Sequence, residues 1–351
     1  MRSRCSSAHR RSRPERVAKH PYLSPAWRRR IGAVPGLERL LWMLEAFVVT
    51  LLWAVLRMLG PDRAVAVVSR IMSRVGPHFR KSKNIRDNLA IMFPGATLAE
   101  RSAIERGMWG QAGALVADFA HMDVICADDS AHRIEIVTKG DAHVFSHGGR
   151  AVFAAAHLAN FQVSTWASQH LGVRVTAPYV PDSNPFLARM IARQRRAIGC
   201  DLVESDGGIR ALMRELERDN AVGLVVDTRF DSGEPVSFFG VDAPTIATPA
   251  RLALRFGCEL IPVRVERLGA TARFRVTFYE PLQPTDRTRS KREQALDMTR
   301  QLNAHFEQWI RERPDQWFVE RRRWPKRTPA ESESGDFPRE DDEYVTNRSV
   351  L

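Results

Sequence analysis

Residues 151–167 read AVFAAAHLANFQVSTWA, a run of small and apolar side chains that carries His157, Asn160 and Gln162. The opening AVFAA contains no polar residue, which is typical of a strand buried on both faces of a sheet. If this strand ends near His157 and a helix begins near Asn160, the stretch forms a strand, a turn and a helix. Reactive groups in layered α/β proteins lie beyond the carboxyl ends of strands, and His157 falls at such an end.

The sequence on both sides of this stretch alternates between short β-rich runs and helical runs. Helical spacing is present at residues 185–198 and 208–218. Strands separated by helices of this length predict a layered α/β fold with a mixed sheet and flanking helices. Residues 62–122 show helical spacing with a break at Gly76-Pro77, which predicts a small helical N-terminal cap. The predicted strands are AVFAAAH, VRVTAPYV, CDLVES, AVGLVVD, CELIPVRVERL and FRVTFYE.

The N-terminus combines a basic arm with an apolar segment. Residues 1–30 hold ten Lys and Arg against one acid, Glu15, and therefore supply most of the net charge of +12. The 17-residue stretch 40–56 is interrupted only by Glu45, with arginines outside it and tryptophans near both ends. Two interpretations remain open: a membrane anchor, spanning or half-embedded, and an amphipathic core helix. The basic arm favours an anchor whose arm stays on the cytoplasmic side.

The remaining chain is nearly balanced in charge, which argues against nucleic-acid binding. Residues 328–351 hold seven acids and few apolar side chains, which predicts a solvated tail. Residues 319–327, VERRRWPKR, place five basic residues around Trp324. This run is either a solubilising segment or a contact for anionic headgroups or an acidic protein. We therefore divide the chain into a basic arm (1–36), an anchor helix (37–60), a catalytic domain (61–327) and an acidic tail (328–351).

The spacing of His157 and Gln162 suits a base and its orienting residue. In the first turn of a helix, Gln162 could hold one ring nitrogen while the other faces a substrate hydroxyl. Taken alone the pattern is weak, because a lone histidine in apolar surroundings is commonly structural. Asp227 follows an apolar strand and is predicted at the same sheet edge. Arg229, two residues on, suits a phosphate or phosphosugar through its planar fork, although an Asp227–Arg229 surface pair is the alternative.

Several segments together resemble the bacterial lipid A late acyltransferases, the lauroyl/myristoyl branch of the lysophospholipid acyltransferase superfamily. Their order and spacing over more than 200 residues carry the resemblance. The matching elements are Asn88-Leu89 with Phe93-Pro94, the His157 turn, PYVPDSNP with Asn184-Pro185, RRAIG with Arg195 and Gly199, LVVDTRFDSGEPVSFFG (224–240) and ATPARLALRFGCELIPV (247–263).

The resemblance implies a glycerolipid-acyltransferase-like fold with an N-terminal membrane anchor at the cytoplasmic face of the inner membrane. It implies transfer of an acyl chain from acyl carrier protein, or from CoA, to a hydroxyl of a lipid A precursor or related lipid. No cofactor or metal is expected. Phe161 and Trp166 are candidate walls of an acyl pocket. The implied site comprises His157 and Gln162 as catalytic residues, with Asn160, Asn184, Arg195, Asp227, Arg229, Phe238, Phe239 and Gly240 binding substrate.

One residue departs from the family pattern, in which an acid follows the histidine after four intervening residues. Gln162 stands at that position, and an amide can orient an imidazole but cannot stabilise its charged form. Three interpretations follow: an active enzyme with a weaker or replaced helper, an enzyme with changed chemistry, or an inactive lipid-binding relative. The scattered cysteines Cys5, Cys126, Cys200 and Cys258 indicate a reduced, cytosol-facing protein without disulfide or zinc site. Cys200 and Cys258 end or begin apolar strands and fit core positions better than nucleophiles.

Overall fold

The computed structural model describes residues 36–127, 133–179, 182, 184–199, 201–204 and 208–325. The predicted arm (apart from Gly36) and the acidic tail lie outside these residues, as do Cys5 and Cys200. Five helices form the N-terminal part: α1 (Leu37–Leu59), α2 (Pro61–Val75), α3 (Ser82–Met92), α4 (Leu98–Phe119) and the short α5 (Met122–Ile125). The 3₁₀ turn Gly76–His78 separates α2 from α3 at the predicted Gly76-Pro77 break.

Most of the surface of helix α1 is exposed. Leu56 is its only buried residue, and its large apolar side chains from Leu40 to Leu59 are mostly exposed. Among the helices that the structure describes, α1 alone is long enough and apolar enough to cross a membrane. A core helix would be buried, so this exposure favours the membrane interpretation.

The remaining chain forms the predicted mixed α/β sheet with helices on both faces. The strand order is β1-β9-β8-β2-β5-β3-β4, and the pairs are parallel except for β8 with β9. The strands are β1 (Ile134–Thr138), β2 (Ala151–Ala155), β3 (Val175–Tyr179), β4 (Asp201–Glu204), β5 (Ala221–Val225), β8 (Glu259–Arg267) and β9 (Phe274–Phe278). The helices are α6 (His143–His147), α7 (Val163–His170), α8 (Pro185–Ala197), α9 (Gly208–Glu217), α10 (Thr248–Phe256) and α11 (Lys291–Glu312).

The apolar sequence of β2 follows from its central position. Ala151, Phe153 and Ala155 face one hydrophobic cluster, whereas Val152 and Ala154 face the other. With β8 on one side and β5 on the other, every residue of the strand is buried. A polar side chain on either face would be desolvated without a partner, which explains why the sequence has none there.

A separate two-stranded hairpin covers one end of the domain. It consists of β6 (Glu234–Phe238) and β7 (Val241–Thr245), which pair in antiparallel register. Its turn is Phe239-Gly240, with positive φ angles of 54° and 77°. Two left-handed residues in a two-residue loop match the twist of a β-hairpin, and Gly240 adopts this conformation without strain.

Candidate active site

His157 and Asp227 come together because two parallel strands end in register. Ala155 of β2 pairs with Val225 of β5. His157 lies two residues beyond the end of β2, and Asp227 lies two residues beyond the end of β5. The backbone N–H of Val226 still donates to the Ala155 carbonyl, at 3.1 Å, so the alignment persists past the strands. The His157 Nδ1 atom lies 2.6 Å from Asp227 Oδ1.

The second oxygen of the Asp227 carboxylate is also fully used. Oδ2 accepts the backbone N–H of His157 at 2.8 Å and the indole N–H of Trp317 at 2.7 Å. Asp227 is completely buried, while the His157 side chain keeps 24% of its surface exposed. Three donors therefore fix the carboxylate, and the imidazole forms the boundary between the core and the solvent.

The pair is set up for proton transfer at the exposed nitrogen. An ionised carboxylate can only accept hydrogen bonds, so Nδ1 carries the ring proton and Nε2 of the neutral ring has a free lone pair. Burial lowers the pKa of His157, but the charge and hydrogen bond of Asp227 outweigh it and raise the pKa above its usual range. Burial conversely raises the pKa of Asp227, yet the charge of His157 and the bonds from His157 and Trp317 hold this pKa below normal.

Gln162 does not occupy the orienting position predicted for it. It precedes the first residue of α7, and among the described residues its side chain makes no hydrogen bond to His157. The Nδ1 atom is already bound by a carboxylate from the neighbouring strand. The carboxylate that position 162 lacks is therefore supplied by Asp227, which corrects the predicted division of roles between Gln162 and Asp227.

The turn that carries His157 is held from beneath by the C-terminal segment, residues 316–324. Ala159 has a positive φ of 48°, an uncommon conformation for a residue with a side chain. Its N–H donates to the Gln316 carbonyl at 3.0 Å, and the Phe318 N–H donates to the His157 carbonyl at 3.2 Å. These backbone bonds to a second segment stabilise the unusual turn.

Much of the C-terminal segment is buried, so its part of the basic run is more than a solubilising segment; a contact with anionic headgroups or an acidic protein stays a prediction. Arg323 and Trp324 are buried, and Arg322 forms an ion pair with Asp87 at 2.6 Å. The Asn88 side-chain amide binds the backbone of this segment twice. Its Oδ1 atom accepts the Arg323 N–H at 2.9 Å, and its Nδ2 atom donates to the Arg321 carbonyl at 2.8 Å. This contact gives the Asn88 motif a structural role.

Arg323 is an unusual buried cation close to the dyad. Its guanidinium donates to the Pro244 carbonyl and the Thr245 hydroxyl, at 2.9 and 2.6 Å, and lies 4.9 Å from the centre of the Phe238 ring. Burial lowers its pKa to about 10, against the attraction of the Asp227 charge. Sequence reasoning missed Trp317 and placed Arg323 in a surface run, and the dense Trp/Arg composition of residues 317–324 was the only signal available for either.

Asn160 and Asn184 are buried with structural partners. The Asn160 amide donates to Met122 Sδ at 3.3 Å. The Asn184 Oδ1 atom accepts two N–H groups at the start of α8, and its Nδ2 atom donates to the Trp42 carbonyl and to Glu45 of α1, at 2.9 and 3.0 Å. The acid that interrupts the apolar α1 sequence therefore ties this helix to α8.

The other predicted substrate contacts differ in their surroundings. Arg229 lies 2.6 Å from the exposed carboxylate of Asp231, so its pairing partner is not Asp227. Arg195 belongs to α8, and its side chain is outside the described part of the structure. Phe238 and Phe239 are buried and Gly240 completes the hairpin turn, which gives all three a place in the fold.

Of the proposed aromatic walls, Phe161 lies next to the base. Its ring centre is 5.1 Å from that of His157, in an edge-to-face arrangement, and the residue is partly exposed. Trp166 is buried and stacks with His170. The thiols are poor nucleophiles, because burial raises the pKa of Cys126 to about 12 and that of Cys258 to about 11.

A histidine base with a buried carboxylate, beside a protruding apolar helix, is suited to an enzyme that activates a hydroxyl close to a lipid surface. The family model described as bacterial lipid A biosynthesis acyltransferase matches residues 37–326. The chain belongs to this family and is an acyltransferase. The family and the apolar helix α1 also indicate association with a membrane. No curated protein matches the sequence at a stringent threshold.

Proposed function

We propose that this acyltransferase moves a fatty acyl chain from acyl carrier protein, or from CoA, to a hydroxyl of a lipid A precursor or related glycolipid or phospholipid. The observation that supports this proposal is the pairing of His157 with the buried carboxylate of Asp227. The reaction would take place at the cytoplasmic face of the inner membrane, where α1 holds the enzyme close to its lipid acceptor.

In this mechanism the His157 Nε2 atom removes the proton from the acceptor hydroxyl as its oxygen attacks the thioester carbonyl carbon. The resulting tetrahedral intermediate collapses with cleavage of the carbon–sulfur bond. The imidazolium returns its proton to the departing thiolate, which leaves an ester, a free thiol and neutral His157. Because a thiolate is a good leaving group, no covalent acyl-enzyme is required.

Asp227 contributes in two ways to this cycle. It keeps the proton on Nδ1, so that Nε2 is the basic nitrogen, and its charge stabilises the imidazolium that forms during attack. An amide at position 162 is compatible with this chemistry, because the required charge comes from β5.

The test is an assay with acyl carrier protein thioester, CoA thioester and a hydroxylated lipid acceptor. His157→Ala should abolish transfer while leaving the fold intact. His147→Ala, which changes an exposed histidine in α6, is the matched control and should retain activity. Equal background transfer by wild type and His157→Ala would instead support the alternative, a membrane-bound lipid-binding relative without catalysis, which the glutamine at position 162 favours.

A further inference from the structure

One side of helix α2 packs closely on α4, which distinguishes an inner side of α2 from an outer side. A Cβ atom added at Gly113 of α4 would lie 2.7 Å from the Val68 carbonyl oxygen and from Met72 Cγ. Gly110 is similarly close to Ser69. The inner side of α2 is therefore committed to the domain, while its opposite side points away from it.

That opposite side is apolar at successive turns. Val67, Ile71 and Val75 recur every fourth residue and are 41%, 53% and 45% exposed. Phe79, just beyond the helix, is 44% exposed. A soluble surface rarely repeats large apolar side chains in this way, and such a stripe marks an interaction site.

The charges beside this stripe have one sign. Arg63, Arg70 and Arg74 are exposed on α2, and none of them forms an ion pair with an acid in the described part of the chain. The one acid of the helix, Asp62, is engaged with Arg133 at 3.2 Å. We call Arg63, Val67, Arg70, Ile71, Arg74 and Val75 the outer face of α2.

We propose that the outer face of α2 lies on the surface of an anionic bilayer as a second membrane contact, separate from α1. Its apolar side chains enter the boundary between headgroups and acyl chains, and its arginines bind lipid phosphates. Three observations specify a lipid surface: the apolar stripe, the uniformly positive charge, and the chain connection to the exposed apolar helix α1 through Gly60 alone.

A second contact would have a mechanical consequence for the enzyme. A single helix leaves a domain free to rotate about the helix axis, whereas a second contact away from that axis restricts the rotation. The outer face of α2 would therefore fix the orientation of the domain relative to the lipid plane, and with it the approach of the His157 edge to a lipid acceptor.

Spin labels in lipid nanodiscs test the proposal on the full chain. In a cysteine-free parent that retains activity, the labelling variants are Val67→Cys and Ile71→Cys. Phe47→Cys in α1 is the reference for lipid, and Leu98→Cys at the exposed start of α4 is the control for an apolar residue in water. Collision with oxygen reports lipid, and collision with a water-soluble nickel chelate reports solvent.

In discs containing anionic lipid, labels at 67 and 71 should collide more with oxygen than with the nickel chelate, as the label at 47 should. The label at 98 should collide more with the nickel chelate. In discs of zwitterionic lipid alone, or with Arg70→Gln and Arg74→Gln together, the oxygen preference at 67 should decline. Labels at 67 and 71 that match the label at 98, with 47 still in lipid, would overturn the second contact and leave α1 as anchor. Shielding from both reagents regardless of lipid would also overturn it and indicate a protein partner.

Discussion

Trp317 donates its indole N–H to the Asp227 carboxylate that binds His157, over a distance of 2.7 Å. The oxygen it binds is the one that also accepts the His157 backbone N–H, so the other oxygen remains directed at the imidazole. Trp317 is fully buried. We infer that it is a positioning residue that acts through Asp227.

Trp317→Phe keeps the aromatic packing and removes this hydrogen bond. Bonds to charged groups contribute about 1.5–3 kcal/mol, so kcat should fall by roughly tenfold or more while KM changes little. Trp324→Phe is the matched control, because its indole donates to the Val241 carbonyl at 3.2 Å and does not contact Asp227. Both variants should lose stability in urea, but only Trp317→Phe should lose turnover. Equal kcat values for the two variants would contradict the positioning role.

Asp227→Asn should lower the plateau of kcat and also shift its acid limb. The wild-type rate should rise with pH as His157 loses its proton, at a pKa that Asp227 holds above the usual value of about 6.5. In Asp227→Asn the burial of His157 still lowers its pKa but no carboxylate raises it, so the acid limb of the pH–rate profile should move to lower pH. The plateau should fall by roughly 10²–10⁴. A pH–rate profile of both proteins measures the two effects, and an unshifted limb would show that Asp227 does not control the protonation of His157.

The same pair makes a stability contribution with a defined pH window. The lowered pKa of Asp227 stabilises the fold above the ordinary Asp value of about 3.9, and this contribution is lost as pH falls through the folded pKa. The raised pKa of His157 stabilises the fold below about 6.5, and this contribution is lost as pH rises through the folded pKa. The difference in urea midpoint between wild type and Asp227→Asn should thus be largest near pH 5. A difference independent of pH would contradict the ion pair.

Gln162→Glu should leave kcat nearly unchanged, because the Nδ1 atom of His157 is already bound to Asp227. A weakened helper at position 162 would give the opposite result, an increase in turnover on restoring the acid. The double variant Asp227→Asn with Gln162→Glu tests whether an acid at position 162 can replace Asp227. If it regains the activity lost by Asp227→Asn, position 162 can reach the imidazole and the assignment of the helper to β5 alone is wrong.

Arg229→Lys should reduce kcat/KM by about tenfold or more if Arg229 binds an anionic group of donor or acceptor. The charge is kept, but the planar fork that binds two oxyanion atoms is lost. Asp231→Asn is the companion variant, since it removes the carboxylate 2.6 Å from Arg229 without changing the guanidinium. It should preserve or raise kcat/KM. Unchanged kinetics of Arg229→Lys with both substrates would leave Arg229 as a surface residue paired with Asp231.

Lysines on the exposed side of α1 should weaken its hold on the membrane. Leu44→Lys with Leu51→Lys places two charges on exposed apolar positions of the helix, each costing about 2.5–3.5 kcal/mol near the bilayer centre. More of the protein should then be released from membranes by alkaline carbonate. Leu98→Lys, an exposed leucine on α4, should change nothing. Complete retention of the double variant would argue against α1 as the anchor.

The sequence predicted the central fold because its signals there are local. The apolar run of β2 and the helical spacing of residues 208–218 need no knowledge of distant contacts, and both appear close to their predicted bounds. His157 and Asp227 were both placed at one sheet edge. Their pairing was not predicted, because it depends on β2 lying beside β5, and strand order cannot be read from the periodicity of either strand.

The missed features have the same cause. Gln162 was predicted to orient His157 because it is five positions away along the chain. The carboxylate that binds the imidazole belongs to Asp227, 70 positions away. Arg323 was placed in a solubilising or contact segment because it belongs to the basic run 319–327, and arginines are rarely buried. Its burial depends on Asn88, 235 positions earlier, and on the ring of Phe238. Local patterns carry no information about such distant contacts.

The dependence of the dyad on Trp317 also sets an order of events during synthesis. Trp317 leaves the ribosome 90 residues after Asp227, and α1 leaves it long before either of them. We therefore expect α1 to reach the membrane while the Asp227 carboxylate still lacks one of its three donors. On the proposed function, a nascent or prematurely terminated chain would be targeted before it could transfer an acyl group, and activity would require translation of the C-terminal segment.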